Sequence, residues 1–133
     1  MIRCLQINSA SEALQHLGKV GVDTAGMRLM EGKTLHLNLK VEGIDSRTAN
    51  ILKQEMLSLG GDAAVDGRGL DCSLKSTDTI LMGTQKQIEK LGLKLDQYPK
   101  LGSLGQDLRK TIQNITKVCP SLRCRRASLA LLI

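Results

Sequence analysis

The sequence contains no phenylalanine and no tryptophan, and its single tyrosine is Tyr98. Any core must therefore be built from Leu, Ile, Val, Met and Ala, without the roughly 200 Å² that each buried aromatic brings. The same scarcity bears on nucleic acid, because single-stranded bases are held on aromatic platforms. No Cys-x-x-C occurs among Cys4, Cys72, Cys119 and Cys124, and His16 and His36 stand at no ligand spacing from them. No metal is indicated, and four unpaired thiols suit a reducing compartment. No apolar run is long enough to span a membrane, and the N-terminus has no signal-peptide core. The expected location is cytoplasmic, with no membrane partner. A P-loop, a dinucleotide fingerprint and any nucleophile–base–orienter set are also missing, so no catalytic residue and no cofactor is indicated.

What is present fits one domain. The chain has 133 residues, 41% of them apolar, enough for a core without disulfides. Its net charge of +6 is uneven. From residue 100 onward stand Lys100, Arg109, Lys110, Lys117, Arg123, Arg125 and Arg126 against Asp107 alone, so residues 1–99 are neutral. A basic third can attract nucleic acid, with Arg123, Arg125 and Arg126 as its densest group. A solvated face or a contact with an acidic partner is the plainer reading.

Periodicity supplies the elements. Residues 2–7 alternate apolar and polar and predict a strand. Ser9 and Glu12 have capping-box spacing ahead of a helix that buries Ala13, Leu14, Leu17 and Val20. Residues 24–31 predict a short helix carrying Met27 and Met30, interrupted by Gly26. Residues 34–42 predict a half-buried strand: Leu35, Leu37, Leu39 and Val41 face the core, while His36, Asn38, Lys40 and Glu42 face water. Asp45 or Ser46 can cap the next helix, where Ala49, Leu52, Met56 and Leu59 share one face. Gly60 and Gly61 end it, one of them left-handed. Residues 62–66 and 70–74 predict a hairpin about Gly67-Arg68-Gly69. Residues 79–83 form a continuous apolar run that predicts a strand covered on both faces. Thr84 and Gln87 cap a helix burying Ile88, Leu91 and Leu95, stopped near Tyr98-Pro99. Ser103 and Gln106 cap a last helix carrying Leu104, Leu108, Ile112 and Ile115. Residues 121–133 predict a terminal hairpin, with Leu129, Leu131 and Ile133 alternating with Ser128 and Ala130. The expected fold class is α/β: a mixed sheet with helices packed on it, residues 1–118, followed by a hairpin, residues 119–133.

The best ligand candidate is the strand–helix junction at residues 82–87, where Gly83, Thr84 and Gln85 would present backbone N–H groups to a phosphate or other small anion. The plainer alternative is a tight turn and a cap. Asp62, Asp66 and Asp71 resemble a metal cluster only superficially, since each alternates with apolar residues as a solvent-facing position does. Cys72 and Cys124 suit small core positions.

Three runs carry a family resemblance: ANILKQEMLSLGGDAAV (residues 49–65), LDCSL (70–74) and TDTILMGTQKQIEKL (77–91). They resemble the N-terminal extension of long-form bacterial dihydropteroate synthases, and SLRCRRASLALLI (121–133) resembles the hairpin that leads into that family's pterin-binding barrel. The family joins para-aminobenzoate to a dihydropterin pyrophosphate in folate biosynthesis. Its catalytic signature, of Met-Gly-Ile-Leu-Asn-Val-Thr-Pro-Asp-Ser-Phe type, is absent, so none of its catalytic residues maps onto this sequence. The resemblance implies an accessory or interaction domain that is not catalytic alone, with a dihydropteroate synthase catalytic domain as partner. The apolar terminal hairpin further suggests pairing with a second copy, a homodimer.

Overall fold

A computed structural model describes residues 1–117 except Cys72, with the side chains of Leu70, Asp71 and Lys117 not described. Residues 118–133, and with them the expected terminal hairpin, lie outside the described residues.

The elements run α1 (Ala10–Val20), α2 (Thr24–Thr34), β1 (His36–Ile44), α3 (Ser46–Ser58), β2 (Asp62–Ala64), a 3-10 turn (Gly67–Asp71), β3 (Thr77–Thr84), α4 (Gln85–Leu95) and α5 (Gly102–Lys117). Three boundaries, one of α1 and two of α3, show local chemistry at work. Ser9 accepts from the Glu12 N–H to open α1. Asp45, rather than Ser46, caps α3 by accepting from the Thr48 N–H at 2.7 Å. Gly60, with φ of +88°, supplies the left-handed residue that lets the chain leave α3.

The strands lie in the order β1-β3-β2, each neighbouring pair antiparallel. Both β1 and β2 oppose β3, so they run parallel to each other with β3 between them, a split β-α-β unit closed by α3. The expected α/β class holds: five helices accompany a three-stranded sheet. The sheet itself is antiparallel among the described residues, not mixed, because β3 separates the two parallel strands.

One face of the sheet is dry. Leu52 and Met56 of α3, Ala63 of β2, Leu81 of β3, Ile88, Leu91 and Leu95 of α4, and Leu108 and Ile112 of α5 form one buried cluster. Leu37, Leu39, Val41 and Ile44 of β1 pack against it. The faces expected for β1, α3, α4 and α5 are therefore the ones buried. α3 packs on β2 and β3, α4 on β3 and α3, and α5 on α4.

Several expectations fail, each for a physical reason. Residues 2–7 form no strand; they lie exposed apart from Ile7, with no strand beside them among the described residues to complete a ladder. The chain after β2 forms no hairpin: Gly67–Asp71 winds as a 3-10 turn, and β2 pairs with β3 instead. The Thr79 hydroxyl donates to the Ala64 carbonyl at 2.6 Å across that pair. Among the described residues β3 is covered on one face only; Ile80 and Met82 stay 40% and 36% exposed because no described helix lies over the second face. α5 begins at Gly102, so Ser103 sits inside the helix and caps nothing. Leu14 and Val20 of α1 are exposed, since α1 packs mainly on α2 and reaches the core through Ala13.

Candidate functional site

The strand–helix junction is built around Gln87. Thr84 Oγ1 accepts from the Gln87 N–H at 3.2 Å, and Gln87 Oε1 accepts from the Thr84 N–H at 2.9 Å, a complete capping box. The Gln87 side-chain amide also donates to the Leu59 carbonyl at 3.0 Å, tying the start of α4 to the end of α3. The Gln85 N–H donates to the Leu35 carbonyl at 2.8 Å, and its side chain donates to Glu89. Gly83 sits close to two side-chain ends: a Cβ there would lie 2.8 Å from Gln87 Oε1 and 2.9 Å from Met56 Cε, so both would have to shift. At the junction of Gly83, Thr84 and Gln85 expected to present backbone N–H groups, those of Thr84, Gln85 and Gln87 are engaged within the fold. Arg123, Arg125 and Arg126 lie outside the described residues.

Several charged groups pair locally at the surface. Arg68 reaches Asp66 at 2.8 Å, which lowers the Asp66 pKa to about 2, and Asp66 in turn raises that of Arg68. Asp62 accepts from the Ala63 N–H and then from Lys53, both of which lower its pKa. Lys53 also donates to the Ala63 carbonyl at 2.9 Å. Glu55 accepts from Lys94 at 2.9 Å and from the Tyr98 hydroxyl at 2.8 Å; Lys94 first and Tyr98 second lower its pKa, while Glu55 raises that of Tyr98. Asp45 is lowered by its bonds from Thr48. Each shifted carboxylate answers to a neighbouring base, hydroxyl or amide, and none to a nucleophile.

Two grooves flank the sheet. One, of about 570 Å³, opens beside β3 on the uncovered face and is lined by Lys40, Asp66, Arg68, Asp78 and Ile80 among others. Its bases are already paired, Arg68 with Asp66 and Lys40 with Glu42 and Asp78 at 3.6 and 3.8 Å. The other, of about 480 Å³, runs between β1 and α5. Among the described residues no group of three or more His, Cys, Asp or Glu could hold a metal ion, and no helix is long and apolar enough to cross a membrane.

Gln87 is the residue sequence reasoning undervalued. Its spacing from Thr84 announced the cap, but its bond to Leu59, 28 residues away, has no local signal.

Similarity to known proteins adds what the geometry does not. A probable bifunctional folylpolyglutamate synthase/dihydropteroate synthase of Halobacterium salinarum is 35% identical over 107 residues, 80% of this chain and 13% of that protein. A folate-related relationship is supported. A protein of the same name from Haloferax volcanii is 36% identical over 70 residues, 52% of this chain and 8% of its own length. The chain therefore spans a small fraction of the curated relatives it matches. No family model matches it, and no solved structure matches it.

Proposed function

We propose that the chain is an accessory or interaction domain of dihydropteroate synthase type, serving folate biosynthesis and not catalytic on its own. The observation that carries this reading is the similarity over 80% of the chain to a probable bifunctional folylpolyglutamate synthase/dihydropteroate synthase of which it matches 13%. The chemistry of the described residues supports it. Carboxylates are bound up in surface pairs, the helix N-terminus at Thr84 is capped from within, and the best-formed polar group, Glu55 with Lys94 and Tyr98, ties α3 to α4 and the turn after it. These are the features of a brace, not of a site that moves protons or activates a nucleophile. Its place in the longer enzyme is that of the extension preceding the pterin-binding barrel.

The test is dihydropteroate formation from para-aminobenzoate and the dihydropterin pyrophosphate, measured with the chain alone and with the chain added to a dihydropteroate synthase barrel lacking this region. The chain alone should give no product, and added chain should bind the barrel saturably. Turnover by the chain alone would overturn the non-catalytic half of the proposal. Failure to bind would overturn the accessory half.

A further inference from the structure

Two parts of the fold are left open in complementary ways. The first is the β1 edge of the sheet. The Gln85 N–H donates to the Leu35 carbonyl, so Leu35, Leu37 and Leu39 direct their backbone groups toward β3. Successive residues of a strand alternate in that direction. His36, Asn38 and Lys40 therefore turn their N–H and C=O groups outward, where no strand pairs with them among the described residues. Beside this edge lies the groove of about 480 Å³, walled by Leu39 and Val41 of β1 and by Leu104, Asp107 and Leu108 of α5. Asp107 makes no ion pair among the described residues.

The second is the stretch before α1. Residues 1–6 lie exposed, Ile2 at 98% and Leu5 at 55%, and none of them lines the groove. The root of this arm is held. The Glu12 carboxylate accepts from the Asn8 N–H at 2.8 Å, and Ser9 Oγ accepts from the Glu12 N–H at 3.1 Å. These bonds set the direction in which the arm leaves α1, clear of its own sheet edge. An exposed apolar arm on one copy and an open strand edge with an apolar wall on another are the two halves of a strand exchange.

We propose that residues 2–7 of one copy add as a strand to β1 of a second copy, and reciprocally, in a symmetric dimer. Register and charge carry the fit. Thr116 of α5 lies beside Gln85, at the start of β1, and residues 103–111 flank residues 38–44, so α5 runs antiparallel to β1 with Asp107 level with Val41. Antiparallel pairing with Ile7 opposite Leu37 sets Leu5 opposite Leu39 and Arg3 opposite Val41, and directly opposed residues share a face. Leu5 and Ile7 then meet the apolar wall, and Arg3 meets Asp107. Gln6 and Cys4 fall opposite Asn38 and Lys40, whose backbone groups are open, and turn their side chains to the uncovered face. Ile2 falls past Lys40, where β1 goes out of register between Val41 and Ile44. A shift of one residue would turn Leu5 and Ile7 away from the wall. The proposal stands independently of the folate reading.

A charge exchange between copies tests it, read by light scattering and amide hydrogen exchange on the full 133-residue chain. The unaltered chain should dimerise, and protection of the Asn38 and Lys40 amides should grow with protein concentration. Arg3→Asp alone, or Asp107→Arg alone, sets like charges against each other twice in a symmetric dimer and should weaken it about tenfold or more. Leu37, Leu39 and Leu81 should stay protected in both variants, which reports in the same spectrum that the fold is intact. Mixing the two variants should restore the dimer, because each arm then meets an opposite charge on the other copy. A chain that stays monomeric would overturn the proposal, as would a dimer indifferent to both substitutions. So would a mixture that fails to dimerise, or protection of Asn38 and Lys40 independent of concentration, the mark of an arm folded onto its own chain.

Discussion

At the residue scale, the molecule is held by a few polar atoms placed with care and one that is not. Ser46 Oγ is buried without a hydrogen-bond partner among the described residues, at the first turn of α3 against the turn that carries Gly69. Its backbone N–H is satisfied by the Leu74 carbonyl, so only the hydroxyl is stranded. An unmade hydrogen bond in a buried site costs more than the hydroxyl returns. Ser46→Ala should therefore leave stability unchanged or raise it by up to about 1 kcal/mol in urea unfolding; a loss of similar size would show that the hydroxyl has a partner. Gln87 is the opposite case, with its side-chain oxygen and nitrogen both used. The capping part of that role was legible from Thr84-x-x-Gln87. The cross-link to Leu59 was not, because spacing along a chain says nothing about a neighbour 28 residues away.

At the element scale, α4 and α5 approach each other closely through Gly92 and Gly105. A Cβ on Gly105 would lie 2.6 Å from the Gly92 carbonyl oxygen and 3.3 Å from Leu95 Cβ, backbone against backbone with nowhere to move. Gly105→Ala should cost about 1–3 kcal/mol despite the better helix propensity of alanine. Gly102→Ala, on the same helix with nothing near the new Cβ, should be neutral or stabilising. Equal effects of the two in denaturant unfolding would mean that helix propensity, not packing, governs both.

The same scale shows which elements the sequence disclosed. Period-two alternation at Leu35, Leu37, Leu39 and Val41, and helical spacing at Ala49, Leu52, Met56 and Leu59, record which face is buried, and those faces are buried. Pairing is another matter. Alternation in residues 2–7 met no partner strand, and the two glycines at 67 and 69 fit a 3-10 turn as readily as a hairpin. The apolar run through Ile80 and Met82 recorded hydrophobicity but not how many layers lie over it.

At the scale of the whole molecule, a helical layer covers one face of a small sheet and leaves the other open among the described residues, with surface ion pairs tying the parts together. Asp45, Glu55, Asp62 and Asp66 all have lowered pKa values in the fold. A group depressed in this way stabilises the fold fully above its unfolded pKa, and that contribution is lost as the pH falls through its folded value. Unfolding midpoints should hold steady from neutral pH down to about 5 and then drop progressively toward pH 2, Asp66 fading last. A midpoint rising on acidification would contradict the ion-pair assignments.

The central proposal is a domain that serves dihydropteroate synthesis without performing it. The most direct measurement is product formation by the purified 133-residue chain given para-aminobenzoate and the dihydropterin pyrophosphate. The account predicts no dihydropteroate above a protein-free blank at any substrate concentration; saturable turnover by the chain alone would contradict it.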